Sequence, residues 1–326
     1  MSTARIPWAD LSARIAARLQ AAGADPADAT IVAEALVTGE ADGQSGHGLS
    51  RVPSYSAQLE TGKIAARPRR RVIRSKPGAI FVDADCGFAI PAIHEGLTAG
   101  IAAAREQGVA GVAIGNSHHS GVAGHHVERA ARVGIVALSF SNTPAGIAPW
   151  GGSVPLFGTN PVAIGFPHAP DPLVIDLSLS RVARGKVMVA AQRGESIPLG
   201  WAVDAQGQPT TDPKSALAGS MLPMGEAKGA ALVLAVELLA TAFTGAQFGF
   251  EASSFFEAAG DPPRIGQFFI VIDPAAFGHT GFAARVNMLL EAILAQPGAR
   301  LPGMQRYSKR AAAAANGFIL PPGILP

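Results

Sequence analysis

Cysteine is almost missing. Cys86 is the single one in 326 residues, which excludes an intramolecular disulfide and makes a reducing compartment, the cytoplasm, the expected setting. Charge is also scarce. Charged residues make up 15% of the chain and the formal net charge is +2, so the overall charge gives no pointer to nucleic acid. Long apolar runs are missing too. The most hydrophobic stretch, "GAALVLAVELLATAFTGA" (229–246), is broken by Glu237 and falls short of the roughly 20 residues a membrane span needs. A buried core helix is expected there. The N-terminal "MSTARIPWADLSARIAARLQ" has no apolar signal core and reads as the first amphipathic helix of the fold. G-x-G-x-x-G, G-x-x-x-x-G-K-[ST] and H-E-x-x-H are all absent, as is any internal repeat. A dinucleotide, if bound, must be held by something other than the usual glycine fingerprint.

Apolar residues make up 48% of the chain, enough for a large core and for surface lost to a subunit interface. Apolar periodicity predicts helices over 8–22, from Asp25 or Pro26 to about Asp42, from near Leu49 to Gly62, and over about 90–107, 226–244 and 281–295. Strands are expected on both sides of Lys76-Pro77-Gly78, at "VAGVAI" (109–114), at "GIVALSFSN" (134–142) and at "PLVIDLSLS" (172–180). The stretch "TPAGIAPWGGSVPLFGTNPVAIGFP" is too apolar for a linker and reads as packed, functional loop. Helices and strands mix without strict alternation. The expected fold class is therefore α/β of the α+β type, with helices flanking a mixed sheet. Residues 1–75 with about 225–326 are expected as a mainly helical domain formed by both chain ends. Residues 76–224 are expected as a mixed-sheet domain for cofactor and substrate.

Four of the eight histidines fall in "GNSHHSGVAGHHVERAARVG" (115–134). The segment reads as strand end, glycine-rich turn and helix, with Gly134 as a helix end. The turn brings backbone N–H groups, Ser117 and Ser120 to a helix N-terminus, where an anion is favoured. His118 and His119 sit where a ligand would approach, and either a ligand-facing role or simple packing fits them. His125 and His126 read as packing or solvent-facing residues. Neighbours on a helix point roughly 100° apart, so the adjacent pairs do not converge as metal ligands, and no metal is expected.

A second histidine segment, "QSGHGLSRVPSYSAQLETG", sets His47 four residues before Arg51, with Tyr55 on roughly the same face. Arginine forks a carboxylate, and histidine exchanges a proton with a carbonyl oxygen. That pair suits a small 2-oxo acid; a capping histidine beside a surface arginine is the plain alternative. Lys228 lies in the first turn of an apolar helix, where a cation opposes the dipole and an anionic partner would relieve it. Lys186 follows a strand beside Gly185, where a ligand could come close. Both also read as solvated lysines. The basic run "RPRRRVIR" (67–74) could bind phosphate, but arginines blocking a strand edge are the commoner use.

Seven stretches in order, "GHGLSRVPSY", "GNSHHSGVAG", "APWGGSVPLFGTNPVAIGFP", "PLVIDLSLSRVARGK", "GWAVDAQGQPTTDP", "GEAKGAALVLAVELL" and "RLPGMQR", run across nearly the whole chain. Together they resemble the type-2 malate/L-lactate dehydrogenase family, which includes sulfolactate dehydrogenases and Δ1-pyrroline/Δ1-piperideine-2-carboxylate reductases. The resemblance implies a homodimeric NAD- or NADP-dependent oxidoreductase with a non-Rossmann cofactor fold, acting on a small anionic substrate. It implies His47 as acid and Arg51 as the substrate carboxylate's partner, with Arg184, Gly185 and Lys186 also facing substrate. It implies cofactor contacts at His119, Ser120, Gly121, Thr159, Asp176, Leu177, Ser178, Lys228, Arg300 and Arg306. Two departures stand out. Many relatives carry serine where this chain has Gly46. The cyclic-imine reductases carry an acidic residue where this chain has Lys186, which suits 2-hydroxy acids and a second anionic group. Sulfolactate, malate and lactate types are the expected substrates, with reduction of a cyclic imino acid as the alternative.

Overall fold

The computed structural model describes residues 5–320, 323 and 324. Helices α1 (Trp8–Ala21), α2 (Pro26–Ala41) and α3 (Val52–Glu60) come first, followed by strands β1 (Arg71–Lys76) and β2 (Ala79–Asp83). Then follow α4 (Ala89–Gln107), β3 (Val109–Ser117), α5 (Ala123–Ala131), β4 (Val136–Ser141), β5 (Val162–Phe166) and β6 (Leu173–Leu177). The rest comprises α6 (Arg184–Arg193), β7 (Ala202–Val203), α7 (Pro213–Ala218), β8 (Ser220–Met221), α8 (Glu226–Thr241), β9 (Ile265–Ile272), α9 (Phe282–Leu294) and α10 (Gln305–Asn316).

Seven strands form a mixed sheet in the order β1-β2-β3-β9-β4-β5-β6. Only β2 and β3 run parallel; the other neighbours are antiparallel. The registers Asp83↔Gly115, Ser117↔Ile265, Ser141↔Gln267 and Val162↔Leu177 set the layout of the strand ends. The C-terminal ends of β2, β3, β4 and β6 and the N-terminal ends of β5 and β9 share one edge of the sheet. That edge carries most of the candidate site. The expected helical stretch 225–326 thus also supplies a strand through the middle of the sheet. The reason is local: "IGQFFIVI" is an apolar run interrupted only by Gln267, and the sheet covers it on both faces.

Side chains alternate across β9. Phe269 and Val271 point into a core with Ile93 and Leu97 of α4, Val112 of β3 and Val127 of α5. Phe268 points the other way and stacks on Phe243, just past α8, with ring centroids 5.1 Å apart. A second core joins Leu11, Ile15 and Leu19 of α1, Val32 and Leu36 of α2, Tyr55 and Leu59 of α3, and Phe318 from the far end of the chain. A third gathers Ile147, Val187, Ile197, Met221, Val233 and Val236 beside the β7–β8 ribbon. Helix α8 is not wholly interior. Val233, Val236 and Ala240 are buried, but Leu232, Leu234 and Leu238 are exposed. Its Glu237 is buried and accepts from Asn142 Nδ2, Asn160 Nδ2 and the Gly249 N–H.

The basic run lies on and before β1, the edge strand, and three of its five arginines are paired. Arg70 binds the buried Asp28 and also Glu95; Arg71 meets Asp83, and Arg74 meets Glu106. Among the described residues, no helix is long and apolar enough to cross a membrane.

Candidate active site

His47 sits in a short 3-10 turn (Ser45–His47) between α2 and α3. The turn lies close against α2. A Cβ on Gly48 would stand 2.5 Å from Glu40 Oε2 and 2.8 Å from the Glu40 nitrogen, and one on Gly39 would stand 3.0 Å from the His47 carbonyl oxygen. Glycine at both positions permits the contact. Glu40 then fixes the turn, accepting from the Leu49 N–H and the Ser45 hydroxyl. Ser45 is therefore committed to Glu40 and does not stand in for the serine missing at position 46. A Cβ on Gly46 would meet nothing within 4 Å.

Arg51 closes the next 3-10 turn (Leu49–Arg51) and is buried. Its Nε donates to the Gly46 carbonyl at 2.7 Å, and its guanidinium carbon lies 4.8 Å from the centre of the Phe256 ring. Arg51 Nη1 is buried with no hydrogen-bond partner among the described residues. A buried cation with an unsatisfied donor is costly unless something anionic is to be received there.

The strand β3 delivers the histidine pair. It is bulged between Ile114 and Ser117, with Asn116 at φ +51°. The Ser117 hydroxyl donates to Gln267 Oε1 of β9. Beyond it, His119 lies between two partners. Its Nε2 is 3.1 Å from His47 Nδ1, and its Nδ1 is 2.6 Å from the Tyr55 hydroxyl. The His47 and His119 rings are nearly parallel, with centroids 5.1 Å apart. His118 is buried with both ring nitrogens unpartnered among the described residues, and the Phe255 ring lies 5.3 Å away. Sequence reasoning set His119 among cofactor contacts; in the structure it touches the proposed acid directly. Tyr55 was legible as the next residue on the Arg51 face, but its partner was not.

Burial lowers the proton affinity of the whole cluster. It pushes His47 down to about 4, helped by the positive Arg51 and by His125. His118 is pushed to about 3 by burial, Lys63 and Arg51. His119 is held well below the ordinary range, by burial first and then Arg51. The second histidine pair is structural. His125 Nε2 meets Asp42 at 2.8 Å, and His126 Nε2 meets the Ser120 carbonyl. Arg310 of α10 binds Asp42 and Glu128 together, tying α10 to the end of α2 and to α5.

Several of the other candidate residues lie along the same edge of the sheet. Asp176, near the end of β6, accepts from the Gly124 N–H at the start of α5 and lies 3.9 Å from Arg306. Burial raises its carboxyl group, against the opposing pull of Gly124 and Arg306. Arg306 is buried with Nε and Nη1 unpartnered among the described residues. A Cβ on Gly124 would stand 2.7 Å from both Asp176 Oδ2 and Arg306 Nη1. The buried donors of Arg306, the acceptor carboxylate of Asp176 and the helix N-terminus after Ser120 and Gly121 suit the phosphate and ribose groups of a dinucleotide. The Thr159 carbonyl accepts from the Leu179 N–H and the Ser178 hydroxyl, so Thr159 and Ser178 adjoin. Leu177 is exposed beside them. Arg184 begins α6 and donates to the Ala145 carbonyl. Gly185, Lys186, Lys228 and Arg300 are exposed. Lys186 lies in the first turn of α6, not in a loop after a strand.

Comparison with known proteins adds what geometry alone does not. The profile of the family described as malate/L-lactate dehydrogenase matches residues 6–325. The chain is 52% identical over 295 residues to the (2R)-3-sulfolactate dehydrogenase (NADP(+)) of Chromohalobacter salexigens, covering 90% of this chain and 88% of that one. It is 40% identical over 319 residues to the Δ1-pyrroline-2-carboxylate/Δ1-piperideine-2-carboxylate reductase of Pseudomonas putida, covering 96% and 92%. The sulfolactate dehydrogenase structure from Methanocaldococcus jannaschii superposes with a TM-score of 0.90 at 30% identity, covering 98% of this chain and 94% of that one.

Proposed function

The chain belongs to the malate/L-lactate dehydrogenase family, and on that premise we propose that it is an NADP- or NAD-dependent oxidoreductase interconverting small 2-oxo acids and 2-hydroxy acids. The observation that carries the reading is the pairing at the turn before α3. A buried guanidinium with an unused Nη1 stands next to an imidazole whose Nδ1 alone is engaged. Arg51 takes the substrate carboxylate, and His47 Nε2 exchanges the proton at the C2 oxygen.

The cofactor, when bound, supplies hydride to C2 in reduction and accepts it in oxidation. Ser120, Gly121, Asp176, Leu177, Ser178 and Arg306 would hold it along the sheet edge, with His119, Thr159, Lys228 and Arg300 flanking. The mixed, mainly antiparallel sheet supports a non-Rossmann mode of binding. The chain's own residues manage the proton. His119 accepts from His47 Nδ1–H through Nε2 and donates from Nδ1–H to the Tyr55 oxygen. This tautomer serves both directions, because His47 Nε2 then carries the proton as an acid or a lone pair as a base. His47 and Arg51 lie in the turns between α2 and α3, and the proposed cofactor residues lie at the sheet edge, before α5 and on α10, so substrate would sit between the two groups.

The 52% identical sulfolactate enzyme supports a substrate with a second anionic group, which Lys186 with Arg184 and Gly185 would face. The 40% identical reductase supports a cyclic imino acid as the alternative. We also propose a cytoplasmic homodimer. The exposed Leu232, Leu234 and Leu238 of α8 and Met288, Leu289 and Leu294 of α9 support the dimer, since apolar faces of this kind mark interaction surfaces.

The pH dependence tests the proton assignment. With His47 near 4 in the free protein, its neutral form prevails at neutral pH, which is the base that oxidation needs. The kcat/KM for oxidation should therefore be flat from His47's side above about pH 5. Reduction needs the imidazolium, so its kcat/KM should fall about tenfold per pH unit through neutrality. Substrate carboxylate neutralises Arg51 and adds a negative charge, both of which raise His47. The break in kcat for reduction should thus lie at higher pH than the break in kcat/KM. A single break near 6.5 in both profiles would contradict the assignment.

A further inference from the structure

Between α8 and β9, residues 251–264 form neither helix nor strand. Part of this stretch is buried, and buried backbone carbonyls need partners. Three side chains at the end of α3 and just beyond supply them. Gln58 Nε2 donates to the Phe255 and Glu257 carbonyls, each at 3.0 Å. The Thr61 hydroxyl donates to the Ala258 carbonyl at 2.6 Å. Lys63 Nζ donates to the carbonyls of Ser254 at 2.7 Å, Glu257 at 3.1 Å and Ala259 at 3.2 Å.

Lys63 is only 1% exposed. An ammonium has three N–H donors, and three carbonyls of one short segment meet them. Burying a lysine costs more than burying an apolar residue of the same length, so stability alone is a weak reason for it here. What the strap carries supplies a better one. Phe255 is 5% exposed, with its ring 5.3 Å from His118 and 5.2 Å from His119. Phe256, next in sequence, is half-exposed and covers one face of the Arg51 guanidinium.

We propose that Lys63 is a positioning residue for the substrate: by caging the carbonyls of 254–259 it seats Phe256 on Arg51, which aims the guanidinium's free edge at the incoming carboxylate. The inference rests on the reading of Arg51 as the carboxylate partner. Lys63 touches neither substrate nor cofactor. It acts through the strap, so its loss should appear in KM for the 2-oxo acid before it appears in kcat or in cofactor binding.

A double-mutant cycle on the full chain tests this, using kcat, KM for the 2-oxo acid, the NADPH dissociation constant and Tm. Phe256→Ala, at a half-exposed position, should raise KM roughly three- to tenfold, as expected for loss of a cation–π contact. Lys63→Met should raise KM by a similar factor, Lys63→Arg should restore much of the loss, and NADPH affinity should stay within about twofold. The double variant should show a KM no higher than the worse single variant. Multiplying KM effects, or a Lys63→Met enzyme with lower Tm and unchanged KM, would overturn the proposal. If Lys63→Met does not fold, Thr61→Val, at an exposed position, replaces it in the same cycle with an expected rise of about twofold and the same criteria. Arg51→Lys separates the two readings. If it leaves KM unchanged, the carboxylate assignment fails; if it raises KM while the strap variants do not, the strap alone fails.

Discussion

The His47→Ala enzyme is expected to turn over roughly 10²–10⁴ times more slowly than the parent, the usual range for loss of a general acid–base group. His47 is the one histidine of the cluster with an engaged Nδ1 and no partner on Nε2 among the described residues. Its neighbours cannot take over. His119 has both nitrogens committed, one to His47 and one to Tyr55, and His118 is held near 3 with its ring against Phe255. The proposed cofactor residues lie on and just after β6, in the turn before α5 and on α10, so NADPH affinity should change little. Stopped-flow hydride transfer at saturating cofactor is the direct measurement. An unchanged single-turnover rate would remove His47 from the mechanism.

Arg51→Lys should cost about tenfold to a hundredfold in kcat/KM, carried mainly by KM. A hydrogen bond to a charged group is worth roughly 1.5–3 kcal/mol, and lysine lacks the planar fork that meets both carboxylate oxygens. Lysine also loses the Nε contact to the Gly46 carbonyl and the flat face on Phe256, so its charge is no longer aimed. Steady-state kinetics with a 2-oxo acid and with the matching 2-oxo amide check the point. The parent should discriminate strongly between them and the variant much less. Equal loss on both compounds would mean that Arg51 supports the fold and not the carboxylate.

Much of this architecture was legible where periodicity was strong. Helices at 8–21, 26–41 and 89–107 and strands at 109–117 and 136–141 follow from apolar spacing and from Pro26 at a first turn. Two strands of the seven-stranded sheet were not, nor were the two short strands of the β7–β8 ribbon. β5 is the short "VAIGF" inside a Gly/Pro-rich stretch that reads as loop, and its pairing is decided by β4 and β6 on either side. β9 lies in a stretch expected to be mainly helical and becomes a strand because it fills the gap between β3 and β4. In the site, the four-residue spacing of His47 and Arg51 makes them candidates, with a cap and a surface arginine as the plain alternative, and the structure sets them in consecutive turns. The contact between His47 and His119 gives no such signal, because it joins residues 72 positions apart. Lys63 and the strap at 254–259 carry no sequence signal at all. A lysine that serves as a cage looks the same in a sequence as one in solvent, and only burial with three carbonyl partners separates them.

The most direct test of the account is a spectrophotometric comparison of substrates with NADPH and with NADH. The panel needs sulfopyruvate, oxaloacetate, pyruvate, Δ1-pyrroline-2-carboxylate and Δ1-piperideine-2-carboxylate. With Lys186 and Arg51 as the proposed substrate-facing cations, a substrate with two anionic groups would be favoured and a cyclic iminium opposed. Two unit charges 4 Å apart at an effective dielectric near 20 interact by roughly 4 kcal/mol, so a screened fraction of that suffices to order the series. The predicted result is the highest kcat/KM for sulfopyruvate or oxaloacetate, a lower value for pyruvate, and the lowest for the two cyclic imines. A clear preference for either cyclic imine would contradict the assignment and make the chain an imino acid reductase.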